Sequence, residues 1–325
     1  MNILYLKGIY SGIFIFSNEI QTIMERRKVI RQGKGTLTMS LPMEWIRQAG
    51  IKPGGELFVE QKGLQLVVSP TIGQRPAKES QIDLGELSRP LAFVMIYNLY
   101  IRGDEEIRIK FDDPETLDSV TDAARSLIGF EIVEQSGGSC TLKELARGES
   151  EDFDTLLRRV MLLLLSIAEE GQDALKRGDK ALLISLAKRD KTINSLVSYC
   201  LRVLNKRGKG DIQKAMHLYT LLNLLEQLGD CYSRFYQDVG KTGPKALAIT
   251  KETAGLLRGF YELFYDFDYT SADKLWERRN RIRRDIEAGL RTMKCRDDLA
   301  AMHYLRSIAD LIVDIEKFQI AMQMR

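Results

Sequence analysis

Two constellations in this sequence have residue types and spacings that could do chemistry. The first is a run of positive charge. Arg26, Arg27, Lys28, Arg31 and Lys34 fall within nine positions, and Arg47 lies on the next amphipathic stretch. Between residues 26 and 52 seven Lys or Arg face a single Glu, although the net formal charge of the whole chain is only +3. Such a patch can neutralise nucleic-acid phosphates and bind with steep salt dependence. The alternative is a solvated basic edge that discourages strand-to-strand aggregation. The second constellation is acidic: Glu226 and Asp230 stand one helical turn apart within "EQLGD". Like charges at i,i+4 cost ~0.2–0.5 kcal/mol on an exposed helix. Either the pair is a solvated rim, or a nearby Arg or a bound cation offsets the repulsion.

The rest of the composition narrows the chemistry. Only His217 and His303 are available, which removes histidine-rich metal sites and most His-dependent catalysis. Cys140, Cys200, Cys231 and Cys295 are far apart with no CxxC pair, a pattern that predicts reduced, mostly buried thiols in a cytoplasmic protein. No P-loop, GxSxG or HExxH motif occurs. The glycines of "QGKGT" and "GGELF" sit in hairpin-like turns and do not open a helix onto a phosphate. The chain therefore reads as no enzyme.

The elements that must position these residues follow from periodicity. Residues 27–32 and 36–40 read as strands around a Gly33–Lys34–Gly35 turn. Pro42 suits the first turn of a short helix that ends at Gly50, and "ELFVEQKGLQLVVSP" supplies two further strands. A unit this small buries little apolar surface by itself, so dimerisation is the expected remedy. In a dimer the basic patch is doubled about a two-fold axis. Residues 70–81 read as a polar linker bearing Pro and Gly. The segment up to about 150 reads helix, strand, helix and two strands, with Asp113 as N-cap and Pro114 at the first helical position. From residue 151 the periodicity is helical throughout. Breaks at Gly178, at Gly208–Gly210 and at Gly240–Pro244 predict three helices, followed by three more over about 244–267, 271–294 and 297–324. Residues 1–23 are apolar but interrupted by Lys7, and too short to span a membrane stably. They read as a mis-started or disordered extension.

The order "RRKVIRQGKGTLTMSLPMEWIRQAGIKPGGELFVE" resembles the AbrB/SpoVT-type swapped-hairpin domain. The residues that carry the likeness are Thr38, Ser40, Leu41, Pro42, Trp45, Gly50, Ile51, Gly54 and Glu56. Gly55 departs from the Asp common in that family. The resemblance implies an interlocked homodimer contacting DNA through Arg26, Arg27, Lys28, Arg31, Lys34 and Arg47. Some domains of this type only dimerise.

From about residue 153 the chain resembles PhoU, a bundle of two three-helix repeats whose E(D)xxxD motifs gather multinuclear iron or zinc clusters. "EQLGD" at 226–230 matches the third-helix motif. "RDKTINSL" resembles the second-helix motif and adds Asp190, with Asn194 where a second carboxylate is usual. A divalent, iron or zinc ion at Asp190, Glu226 and Asp230 is what the resemblance implies. In the second repeat "YLRSIADLIVDI" places Arg306 where Glu belongs and leaves Asp310 alone. Five arginines crowd residues 278–284. One of them set against Asp310 would replace a metal by an internal salt bridge. The run itself reads as a solvated or ion-paired helix face, or as a surface for nucleic acid or phosphate. "RSLIGFEIVEQSGGSCTLKEL" resembles the connecting segment of archaeal-type AbrB–PhoU fusions.

The expected organisation is multidomain, α+β and all-α. Residues 24–70 form a swapped-hairpin, barrel-like dimer domain, 71–150 a linker with a small α+β module, and 151–325 a PhoU-like bundle of two three-helix repeats. The resemblances imply a cytoplasmic, homodimeric DNA-binding regulator of phosphate uptake, without membrane insertion. The alternative is an adaptor that modulates a phosphate transporter or signalling protein and never touches DNA.

Overall fold

The computed structural model describes residues 26–33, 35–62, 65–70, 78–85, 87–145, 153–207 and 212–324. Residues 1–23, Lys34 and the Gly208–Gly210 break, about which the sequence raised expectations, lie outside them. The chain divides into two compact units, one up to residue 76 and one from residue 77.

In the first unit β1 (Ile30–Gln32) pairs antiparallel with β2 (Thr36–Thr38), placing Ile30 opposite Thr38 and Arg31 opposite Leu37. Gly33 takes the positive φ of 72° that the tight turn requires. Pro42 holds the extended N-cap position before α1 (Met43–Gln48). The helix stops at Gly50, whose φ of 64° reverses the chain so that Ile51 N–H donates to Ile46 O at 3.0 Å. A second hairpin joins β3 (Phe58–Lys62) to β4 (Gln65–Ser69). The two hairpins form separate two-stranded sheets. The barrel expected from the sequence is therefore not closed by one chain, because an isolated hairpin has one face too many and no layer to cover it. The apolar side chains show the same thing: Leu37 is 69% and Leu66 66% exposed, and α1 buries no residue.

The second unit begins with an α+β module: β5 (Glu79–Asp83), α2 (Arg89–Ile101), β6 (Glu106–Lys110), α3 (Pro114–Ser126), β7 (Phe130–Ser136) and β8 (Ser139–Glu144). The sheet order is β5-β6-β8-β7, with β5 parallel to β6 across α2 and the other pairs antiparallel. Strand β5 corrects the expected linker over 70–81. "ESQID" holds one apolar residue, Ile82, too few to produce a visible alternation, and its pairing to β6 is what makes it a strand. Asp113 caps α3 as expected, accepting from Glu115 N–H at 3.0 Å. Ile96, Tyr100, Ile107, Ile109, Val120, Phe130 and Leu142 make the buried core.

Seven helices follow: α4 (Phe153–Arg177), α5 (Lys180–Lys188), α6 (Asp190–Arg207), α7 (Ile212–Asp238), α8 (Pro244–Tyr265), α9 (Tyr269–Leu290) and α10 (Arg296–Gln323). The second predicted helix is thus two, divided at Arg189. Its guanidinium is held by Glu170 of α4 at 2.7 and 2.9 Å, and Asp190 begins α6. None of the helices among the described residues is long and apolar enough to cross a membrane. Cys140 and Cys200 are buried, Cys231 is half-buried and Cys295 is exposed.

The module and the bundle are locked by a residue that sequence reasoning missed. Arg202 of α6 is 1% exposed. It donates to Tyr100 O at 2.6 Å and to Glu144 Oε2 at 2.8 Å, and its guanidinium lies 4.8 and 4.9 Å from the rings of Tyr100 and Phe130. Lys206 joins Glu144 at 2.7 Å, and Asn205 donates to Ile101 O at 2.8 Å. A buried guanidinium is tolerated when ionised and hydrogen-bonded partners surround it. In "CLRVLNKR" it looked like one more basic residue near a helix end.

Candidate functional site

In the first unit Arg26, Arg27, Lys28, Arg31 and Arg47 are all exposed. Arg31 is held by β1 and shares its hairpin face with Leu37. Arg26, Arg27 and Lys28 lead into that strand, and Arg47 occupies the last turn of α1. The hairpin thus gathers cations beside uncovered apolar groups. Lys34, the sixth residue expected here, lies outside the described residues.

In the first half of the bundle the three acids singled out from the sequence do converge. Glu226 and Asp230 lie on α7, and Asp190 opens α6 opposite them. Gly229 permits this approach, because a Cβ there would stand 2.9 Å from Asp190 Oδ1. Asp190 has its pKa pushed up to about 6, first by burial and then by the negative charge of Asp230, which lies close enough for a protonated Asp190 to donate to it. Glu226 is raised as well, by burial first and then by Asp230 and Asp190. Asn194 donates to Asp190 Oδ2 at 3.3 Å, whereas Asp190 Oδ1 is buried with no hydrogen-bond partner. Arg234 binds Asp230 Oδ2 at 2.6 Å, so an Arg does offset the repulsion between Glu226 and Asp230. Among the described residues no three carboxylate, thiol or imidazole groups are gathered tightly enough to hold a metal ion. A multinuclear iron or zinc cluster would need more donors than two aspartates, one glutamate and an amide offer.

The second half repeats the plan with the charge inverted. Arg189 binds Glu170 of the preceding long helix, and Arg278 binds Glu252 of α8 at 3.1 Å. One residue further along, Asp190 is matched by Arg279, and Asn194 by Arg283. Asp230 is matched by Asp310, Gly229 by Ala309 and Glu226 by Arg306. Arg279 and Arg283 approach Asp310 Oδ1 at 3.6 and 3.8 Å, which is the arginine replacement expected from the sequence. Six residues on from each of these aspartates, Tyr236 on α7 is matched by Glu316 on α10. Tyr236 is buried and donates to Ile167 O at 2.9 Å. Glu316 is 0% exposed with neither carboxyl oxygen hydrogen-bonded. Burial pushes its pKa up to about 7, opposed only by the neighbouring Trp276 indole. Sequence reasoning passed over Glu316, since a single acid on an apolar helix face carries no motif.

Residues 30–77 match the family model described as antidote-toxin recognition MazE, bacterial antitoxin. The match covers the hairpin unit alone, and the larger, mostly helical part of the chain lies outside it. No curated protein matches the chain. Among solved structures, similarity extends to the phosphate transport system regulatory protein PhoU from Streptococcus pneumoniae. The identity is 16% and the TM-score 0.46, over 53% of this chain and 93% of that one.

Proposed function

We propose that this chain is a dimeric, cytoplasmic DNA-binding regulator of phosphate uptake. The hairpin unit contacts DNA, and the helical unit responds to a signal or a partner. The observation that carries the reading is that no described residue of the first unit is buried, beside its concentration of exposed cations. Two hairpins and a six-residue helix cannot stand alone with their apolar side chains in water. A second copy supplies the missing layer, and the same pairing doubles the basic patch across a two-fold axis, a geometry suited to duplex DNA. Phosphate uptake as the regulated process is supported by the PhoU-like motif at Glu226–Asp230, whereas the similar segment Tyr304–Ile315 carries Arg306 where that motif has Glu.

A salt-titrated binding assay on DNA upstream of phosphate-uptake genes tests this. The full chain should bind with a steep salt slope. Arg31→Ala and Arg27→Ala should each reduce the slope by about 1 and weaken binding on every sequence tested. Binding unchanged by removal of residues 24–70 refutes the reading and leaves the adaptor role. In the same reading Asp190, Glu226 and Asp230 are the responsive site of the first half, holding a shared proton or a divalent cation. Elemental analysis free of metal, together with unchanged stability of Glu226→Ala, would eliminate the cation.

A further inference from the structure

Two cations face one carboxylate where α9 meets α10, and a third lies on the adjacent turn. Arg279 and Arg283, one turn apart on α9, both approach Asp310, and Arg306 sits one turn before Asp310 on α10. The neighbouring Arg278 is already committed to Glu252 and to Gly255 O. The contacts of Arg279 and Arg283 with Asp310, at 3.6 and 3.8 Å, are too long for direct hydrogen bonds. Both sides accordingly keep unused capacity: Arg279 Nε and Asp310 Oδ1 are buried with no hydrogen-bond partner. Arg279 is also largely withdrawn from water, with its side chain 14% exposed and its guanidinium 5.5 Å from the Trp276 ring. A guanidinium fixed and partly desolvated in this way binds an oxyanion more strongly than one in bulk water.

We propose that this face is a binding site for inorganic phosphate. Arg279 and Arg283 hold the anion, Arg306 adds attraction from the adjacent turn, and Asp310 sets the selectivity. The aspartate is what separates this site from a generic anion patch. An ionised carboxylate only accepts hydrogen bonds. Hydrogenphosphate keeps one hydroxyl at neutral pH and can donate it to Asp310 Oδ1. Sulfate has no proton to give and meets the same oxygen as a like charge. The matched position in the first half carries Asp190 in place of Arg279 and is closed to anions for the same electrostatic reason.

The site deepens the reading of the helical unit as the responsive part, yet does not depend on DNA binding. Calorimetric titration of the full chain with inorganic phosphate, sulfate and chloride at matched ionic strength tests it. Phosphate should bind saturably, and sulfate at least ~10-fold more weakly, the loss expected for one charge-assisted hydrogen bond. Arg283→Gln, at a half-buried position that should fold normally, should weaken phosphate binding ~10-fold or more. Asp310→Asn should narrow the gap between phosphate and sulfate. Heats for phosphate no larger than for chloride, or an affinity untouched by Arg283→Gln, would overturn the proposal. Neither result would alter the DNA salt slope, so the two readings fail separately.

Discussion

The two halves of the helical bundle share a plan and differ in the charge they place at its centre. In the first, α6 brings Asp190 and Asn194 to Asp230. In the second, α9 brings Arg279 and Arg283 to Asp310. The flanking pairs Arg189–Glu170 and Arg278–Glu252 are kept, so the frame is common and only its contents changed. In the first half the carboxylates repel one another, and Arg234 offsets part of that repulsion. A carboxylate between two guanidiniums is neutralised internally, and with Arg306 nearby it carries excess positive charge. The difference extends along α7 and α10, where Tyr236 fills the buried position that Glu316 takes in the other half.

The sharpest way to break this correspondence is steric. Gly171 on α4 makes room for Tyr236, since a Cβ there would fall 2.0 Å from the phenol oxygen. Thr253 stands at the matched place on α8, one residue after Glu252. Gly171→Ala should therefore destabilise the protein by about 3 kcal/mol, read by denaturant unfolding. Little loss would mean that α4 and α7 are not packed as described.

The next test uses pH. In the unfolded chain Glu316 ionises near 4.5, but in the folded protein only near 7. The protonated form is the one the fold favours, so its stabilising contribution is complete below pH 4.5 and disappears as pH rises through 7. The loss amounts to about 3 kcal/mol at most. Glu316→Gln should abolish this part of the pH profile and make the protein more stable than wild type at pH 8. A wild-type profile that is unchanged by the substitution would mean that Glu316 finds a partner in solution.

The smallest expected effect is on the shared frame. Arg189→Lys and Arg278→Lys lose the forked contact with their glutamates while keeping the charge. Because both pairs are partly exposed, each should cost under about 1 kcal/mol. Similar losses in thermal unfolding would support the common frame. A large loss from only one of them would argue that the halves are not built alike.

Much of this organisation was legible in the residues themselves. The turn glycines, Pro42, the Asp113 cap and the 3.6-residue periodicity are local signals, and they placed the elements near their observed bounds. The pairing of Glu226 with Asp230 and the set of arginine against Asp310 were also readable, because they depend on spacing along one helix and on charge complementarity. Strand β5 was not legible, since its polar residues become a strand only by pairing to β6. Nor was Arg202, whose burial depends on Tyr100, Phe130 and Glu144, residues 58 to 102 positions away.

The sequence by itself determined where charge, turns and apolar stripes lie, because those follow from side-chain chemistry and short-range backbone preferences. It thereby determined that a basic hairpin precedes a bundle with an acidic and an arginine-rich half. Tertiary structure alone decided which of those charges are left unsatisfied. Burial and partner geometry arise only when distant helices pack. They leave Asp190, Arg279, Asp310 and Glu316 with buried polar atoms unpaired, and they surround Arg202, equally unremarkable in the sequence, with ionised and aromatic partners although its Nε is unpaired too.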